Sequence, residues 1–206
     1  MQQVNQRGLL YVSVFVAALF LATLSGTFAY FQVSASNSNK IVGNIAGNNL
    51  VLTITSPTNL ASGPLIPLNS TNSTFLQKAV NGTNSTPCQD SNGYVVCQIY
   101  TVTITNSSNT PQRLIGNLIL SASSAPNMKW GLMSSATAVK TTTTPVSVGT
   151  VGNLATDLTL EAGNSQSYYV LVWLNETGSA QTDGGSFTGT VTFTSYVGKN
   201  LTATFS

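Results

Sequence analysis

Hydrophobic and polar residues alternate with a period of two along most of the chain after residue 48. In residues 50–55 the apolar side chains Leu50, Leu52 and Ile54 fall on one face, which is the pattern of a half-buried β-strand. Similar short runs cover residues 94–105, 114–122, 154–160, 187–196 and 201–205. Residues 167–174 are almost continuously apolar, which predicts a central strand buried on both faces.

This succession of short strands predicts an all-β fold, an antiparallel β-sandwich of the immunoglobulin-like or jelly-roll type, over residues 48–206. Gly, Asn, Ser and Pro separate the runs, and no helical period follows residue 31. Residues 57–87 lack alternation and are predicted to form a long surface loop or an inserted hairpin. Trp130 and Trp173 are expected in the core.

The amino terminus has the organisation of a secretory signal peptide. Arg7 precedes a mostly apolar segment, residues 9–24, and small residues follow at 25–27. We expect residues 1–29 to be removed by cleavage between Ala29 and Tyr30. The chain would then meet the membrane only transiently, during export, and act outside the cell.

Two other interpretations of this segment stay open. The apolar stretch can be extended over residues 9–31, which is long enough to span a bilayer as an anchor. Residues 7–10, Arg-Gly-Leu-Leu, also resemble the processing site of archaeal type IV pilins, where the cut would follow Gly8 and the apolar segment would become a filament-core helix. All three interpretations place the bulk of the chain outside the cytoplasm.

The composition argues against several classes of function. Only 6% of the residues are charged and the net charge of +2 is scattered, so no nucleic-acid footprint is expected. The chain has no histidine, which excludes a Ser-His-Asp triad and a His-ligated zinc site. Asp157 and Glu161 form the closest acidic pair and are expected to be solvated at a strand end. We therefore predict a protein that is not an enzyme and uses no cofactor or metal.

The two cysteines, Cys88 and Cys97, flank an Asn-Gly pair at residues 92–93, the strongest short signal for a hairpin turn. On an exported chain two near neighbours favour a disulfide over two free thiols. Closing a loop of about 10 residues would stabilise the fold by roughly 2.7 kcal/mol in the chain-entropy model.

The chain also carries many acceptor sequences for N-linked glycans. Their clustering within residues 69–86, in a predicted surface loop, indicates a glycoprotein. The candidate sites are Asn69, Asn72, Asn81, Asn84, Asn106, Asn175 and Asn200.

The segment from residue 25 to residue 55 resembles the amino terminus of the TasA/camelysin family of biofilm-matrix proteins. The similarity rests on Gly-Thr-Phe-Ala-Tyr-Phe at residues 26–31, a Gly-containing turn at 43–47 and the apolar strand at 49–54. The low charge, sequons and Thr-rich strands are similar to the archaeal relatives, the subunits of threads and bundling pili. Gln32 and Val33 stand where the family commonly has Asp, and no recognisable zinc motif supports the protease activity described for camelysins.

The resemblance implies a filament whose subunits are joined head-to-tail by donor-strand complementation, with a role in adhesion or biofilm cohesion. Residues 30–47 would be the donor strand and its linker, and Phe31, Val33 and Ala35 would fill a groove of the neighbouring copy. Three alternatives remain: residues 30–36 form the first strand of their own domain, the chain is a pilin-like subunit with residues 9–31 as its core helix, or it is a monomeric secreted or anchored glycoprotein.

Overall fold

Strands make up almost all the regular structure of this chain. The computed structural model describes residues 43–44, 50–56, 60, 63–70, 73–83, 85–123, 125–142, 144–177 and 185–206. The elements within these ranges are β1 (Gly43–Asn44), β2 (Leu50–Thr55), α1 (Ser73–Asn81), β3 (Gln98–Asn106), β4 (Gln112–Ser123), β5 (Met128–Ser135), β6 (Ala138–Val139), β7 (Val146–Ser147), β8 (Val151–Leu160), β9 (Ser165–Leu174), β10 (Ser186–Ser195) and β11 (Asn200–Phe205).

The strands form two antiparallel sheets. One sheet has seven strands in the order β1-β2-β3-β9-β5-β6, with β7 pairing with β5. The other has four strands in the order β11-β10-β4-β8. The predicted all-β sandwich is confirmed, and β9 lies between β3 and β5, as its continuous apolar run indicated.

The main core lies between the two sheets and contains the side chains that alternation assigned to the inward faces. Tyr100 of β3 packs on Phe205 of β11, with ring centroids 4.0 Å apart. Burial raises the pKa of the Tyr100 phenol, which keeps it neutral in the core. The largest fully buried side chains of this core include Trp130, Tyr100, Phe187, Phe193, Phe205, Leu50, Leu52 and Ile54.

Two glycines let aromatic rings lie flat on the four-stranded sheet. Gly189 of β10 is directly opposite Phe205 of β11, and Gly116 of β4 is opposite Phe193 of β10. A Cβ atom would stand 2.1 Å from the Phe205 ring at Gly189 and 2.5 Å from the Phe193 ring at Gly116. Each ring therefore occupies the space that a side chain on the neighbouring strand would fill.

A second apolar cluster covers the outer face of the seven-stranded sheet. Leu76 and Val80 of α1 are buried there with Ile99 of β3 and with Leu171 and Trp173 of β9. The prediction of a loop or hairpin over residues 57–87 is therefore wrong at α1. The helix has only nine residues, so its apolar period is too short to stand out from a Ser- and Thr-rich background. Trp173 is fully buried, as predicted, although it packs under the helix.

The segment between the cysteines forms the predicted turn. The Asp90 carboxylate accepts hydrogen bonds from the backbone N–H groups of Asn92 (2.9 Å) and Tyr94 (2.8 Å), and Gly93 has a φ of 88°. Cys88 and Cys97 are at disulfide distance, with Cα atoms 4.8 Å apart. Because residues 88–96 bond one another in this turn, β3 begins at residue 98 and Tyr94 is exposed, contrary to the predicted strand over 94–105.

The first described strand lies inside the segment predicted to be a linker. Gly43 pairs with Leu52 and Asn44 with Val51 in an antiparallel ladder. Backbone pairing with β2 therefore begins before residue 48, the predicted start of the sandwich. The short strand escaped the sequence analysis because glycine and asparagine are typical of turns rather than strands.

Candidate functional site

The described residues do not bring together a catalytic or metal-binding cluster. Within the described ranges, no group of three or more His, Cys, Asp or Glu side chains is close enough to hold a metal ion. Asp157 forms an ion pair with Arg113, at 2.8 Å between Oδ2 and Nη2, and Glu161 is exposed. The edges of the two sheets offer another kind of contact, because the backbone groups on the outer side of an edge strand can bond a further strand.

The edge of the seven-stranded sheet at β6 is closed by a side chain of the helix. The Gln77 side chain accepts a hydrogen bond from Val139 N–H (2.7 Å) and donates one to the Thr137 carbonyl (3.1 Å). Its amide thus takes the place of one residue of an additional strand. Since β6 has only two residues, this single side chain covers much of its hydrogen-bonding capacity.

The β8 edge of the four-stranded sheet is irregular and charged. The register between β4 and β8 shifts twice, on either side of Gly116. Asp157 projects from β8 toward Arg113 of β4, and this carboxylate raises the pKa of Arg113 by hydrogen bonding and by its charge. Bulges and charged side chains are the devices that natural sheets use to prevent pairing with a further strand.

The β11 edge of the same sheet has neither device. All six residues pair with β10 in one unbroken register, from Asn200 opposite Thr194 to Phe205 opposite Gly189. Residues 200–205 contain no charged residue and no proline. Among the described residues β11 pairs only with β10, and its Cα atoms approach those of β1 and β2 within 8 Å. It is a regular edge close to β1, where the described chain begins.

The turn that leads into β11 exposes two consecutive apolar side chains. The exposed fraction is 55% for Tyr196 and 73% for Val197. The Arg113 guanidinium lies 4.4 Å from the centre of the Tyr196 ring, in a cation–π contact. The turn and the β11 edge together present an apolar patch beside a backbone edge.

The inward side chains along this corner are already buried. Leu201, Ala203 and Phe205 of β11 are at most 4% exposed, and Leu50, Leu52 and Ile54 of β2 are fully buried. These side chains are buried in the whole chain, and the groove that the resemblance implied stays a prediction. A strand added at this corner would gain main-chain hydrogen bonds first, and its apolar side chains would contact Tyr196 and Val197.

The predicted glycosylation sites differ in how exposed their asparagine side chains are. Asn69, Asn81 and Asn200 are exposed, whereas Asn175 is half-buried and bonds Ser70. Asn106 is fully buried, and its side-chain amide donates to the carbonyls of Thr110 (2.8 Å) and Leu160 (2.9 Å). This burial argues against a glycan at Asn106, because its amide nitrogen already bonds two carbonyl groups of the folded domain.

Several predicted residues lie outside the described ranges. They are Phe31, Val33 and Ala35 of the proposed donor strand, the cleavage site Ala29 and Tyr30, and the sequons at Asn72 and Asn84. Among the residues that are described, no helix is both long and apolar enough to cross a membrane. The apolar segment at residues 9–31 is not among them.

Two features of this site were missed by sequence reasoning. Gln77 falls within the predicted loop over residues 57–87, and its edge-closing role depends on the distant residues 137–139. Tyr196 was counted as the end of an alternating strand, although β10 ends at Ser195. A Gly at position 198, with a φ of 80°, was the available signal that a turn begins there.

Comparison with known proteins gives no family. No protein-family model and no curated protein matches the chain. Among solved structures, it is similar to a FixG-related protein from Vibrio parahaemolyticus (10% identity, 76% of this chain, 94% of that chain, TM-score 0.29). It is also similar to the ApaA protein from Bordetella pertussis (10% identity, 77% and 89%, TM-score 0.27) and to the alkylpurine DNA glycosylase AlkC from Pseudomonas fluorescens (16% identity, 53% and 25%, TM-score 0.27). At these TM-scores the likenesses support no functional argument.

Proposed function

We propose that this chain is the structural subunit of an extracellular filament that polymerises by donor-strand complementation and serves adhesion or biofilm cohesion. The observation that carries the proposal is the contrast between the sheet edges. The β6 edge is closed by Gln77 and the β8 edge is irregular and charged, whereas β11 is regular and neutral. An exposed regular edge is a template for pairing with another chain, so its retention favours a function in assembly.

The candidate donor strand has the properties that this assembly requires. No side chain of residues 30–36 carries a charge, and Phe31, Val33 and Ala35 alternate with polar residues. A strand donated by one copy to the next makes a heterologous contact that does not close on itself, and such contacts generate fibres. Exposed acceptor sequences at Asn69, Asn81 and Asn200 agree with a glycosylated, extracellular surface.

Deletion of residues 30–36 tests the proposal. We expect the secreted intact protein to form filaments visible by negative-stain electron microscopy, and the deleted protein to remain monomeric. A matched control replaces Gln32, Ser34 and Ser36 by threonine, which keeps the alternation and should preserve filaments. The thermal unfolding midpoint of the deleted protein should stay near that of the intact monomer, because the described sandwich begins after the arm.

The amino-terminal residue of the mature protein provides an independent check. Sequencing should find Tyr30 first if the arm is released by signal peptidase. Leu9 first would instead favour a pilin-like core helix and would contradict the proposal. Filaments that survive deletion of residues 30–36 would contradict it as well.

A further inference from the structure

We propose that β11 is the acceptor strand, and that residues 30–36 of a second copy add to its free edge while contacting Tyr196 and Val197. This inference rests on the proposed function and specifies which surface of the domain receives the arm. It follows from the position of the edges, the charge along them and the place where the described chain begins.

The first step compares β11 with the other ends of the two sheets, of which the β1 end offers a strand of only two residues. An added strand must find unpaired backbone groups in an even ladder. The β6 edge has only two residues, and the Gln77 side chain already bonds the N–H group of Val139 and the carbonyl of Thr137. The β8 edge has two register shifts along its ten residues, so a straight strand cannot follow it. The six residues of β11 keep one register throughout.

The second step is electrostatic. No side chain of residues 200–205 or of residues 30–36 carries a charge, so the arm leaves no charged side chain unpaired along β11. The α-amino group that cleavage leaves on Tyr30 lies at the end of the arm. Strand β8, by contrast, carries the charged side chain of Asp157, which is ion-paired with Arg113 of β4. The uncharged side chains of the arm therefore match the uncharged side chains of β11.

The third step is the source of apolar contact. The inward side chains of β11 are already buried, so the arm cannot gain much by covering them. Tyr196 and Val197 stand exposed in the turn directly before β11 and offer apolar area at the end of the same edge. Because alternate side chains of a strand lie on one face, Phe31, Val33 and Ala35 form the apolar face of the arm that we assign to this patch.

The fourth step is reach. If cleavage follows Ala29, thirteen residues, 30–42, precede β1, and an extended chain of that length spans about 43 Å. The six residues between the arm and β1 span about 20 Å of this distance. The Cα atoms of β1 lie within 8 Å of those of β11. A copy docked at this corner is therefore within range of its neighbour's arm.

Disulfide cross-linking between two separately substituted chains tests the assignment. One chain carries Ser34→Cys or Ser36→Cys in the arm, and the other carries Thr204→Cys on the outward face of β11. Each chain has one added thiol, so a cross-link between the two variants must join two copies. The control partner carries Asn153→Cys, an exposed outward position on β8. All chains are expressed in full, secreted, mixed and oxidised as filaments form.

We expect the Thr204→Cys partner to give a ladder of cross-linked species at least tenfold more abundant than the Asn153→Cys partner. Filaments that cross-link through Asn153→Cys, or through both equally, overturn β11 as the acceptor and leave the filament proposal standing. A third chain carries both Ser34→Cys and Thr204→Cys. If the protein forms no filaments and these two thiols bond only within one copy of this chain, both proposals fail.

A pair of exposed valines gives a second readout that does not depend on added cysteines. Val197→Ser removes apolar area beside β11, and Val151→Ser removes it at the start of β8, where the exposed fraction is 60%. Because both positions are exposed, both variants should fold normally. We expect the critical concentration for polymerisation to rise about tenfold for Val197→Ser and less than twofold for Val151→Ser. An equal response of the two variants overturns the contact with the patch.

Discussion

The four-stranded sheet ends in two strands of very different character. β11 follows its neighbour β10 in an unbroken register and has no charged residue, whereas β8 shifts its register twice against β4 and holds Asp157 in an ion pair. Both edges belong to one sheet and share one core, so the difference is not a consequence of the fold. The features that hinder pairing with a further strand, a shifted register and a charged side chain, are therefore found on β8 and not on β11.

The same comparison extends to the larger sheet. Its β6 edge is short and is closed by the Gln77 side chain. Pairing with a further strand is therefore hindered there by helix α1 rather than by β6 itself. The unprotected β11 edge lies near β1, where the described chain begins. A regular edge near the start of the described chain is the feature on which the proposed assembly rests.

We expect the largest losses of stability when a Cβ atom is added at Gly189, on β10 beside β11, or at Gly152 on β8. Gly189→Ala should lower the free energy of unfolding by about 3 kcal/mol, because the new Cβ would meet the Phe205 ring at 2.1 Å in a regular ladder. Gly152→Ala meets the Trp130 ring at 2.3 Å but lies on β8, whose bulges allow the strand to shift, so we expect about 1–2 kcal/mol. Urea unfolding measures both.

A second substitution controls for the mechanism of this loss. Phe205→Leu should relieve the clash at Gly189→Ala, so the double variant should be more stable than the sum of the two single losses. Equal costs at Gly189 and Gly152 would mean that the β8 edge is as rigid as the inner strand, and the contrast between the edges would lose its physical basis.

An intermediate effect is expected at the closed edge. Gln77→Ala leaves the buried Val139 N–H without its partner and should cost about 1–2 kcal/mol in the free energy of unfolding. Hydrogen exchange of the Val139 amide should also become faster. Gln166→Ala, at an exposed glutamine of β9, is the matched control and should stay within about 0.5 kcal/mol. A neutral result at Gln77 would show that β6 needs no closure.

We expect the smallest loss of stability when the ion pair between Asp157 of β8 and Arg113 of β4 is removed. Asp157→Asn removes an ion pair whose two side chains are 55% and 52% exposed, and such pairs add little stability. The thermal unfolding midpoint should move by less than about 2 °C. The carboxylate should also hinder pairing between the β8 edges of two copies. In the protein that lacks residues 30–36, Asp157→Asn should therefore increase self-association, measured by size-exclusion chromatography. No change in association would assign the guarding to the bulges alone.

Alternation predicted most of the strands because each has one buried face. The inward positions of β2, β4, β10 and β11 follow directly from period-two patterning, and the sequence placed Leu114, Leu118 and Leu120 together. The failures have local causes: α1 is too short for its period to register, and β1 is made of turn-forming residues. The burial of Asn106 was hidden because a sequon carries no information about the turns that fold around it.

The candidate site was only partly within reach of sequence reasoning. The neutral, alternating arm is visible in residues 30–36, and so are the paired cysteines. The resemblance predicts an apolar groove as the acceptor; at the described corner the inward side chains are buried, and among the described strands β11 pairs with β10 alone. Which edge is free depends on strand order, and residues far apart in the chain decide it.

By itself, then, the sequence determined the β architecture, the inward face of each main strand and the turn between the cysteines, because these depend on side-chain period and local turn chemistry. Only the tertiary structure decided which strands are edges, that Gln77 closes one, that bulges and Asp157 guard another, and that β11 lies regular and neutral beside β1. The physical reason is that an edge is defined by the absence of a neighbour, and neighbours are chosen by packing between distant segments of the chain.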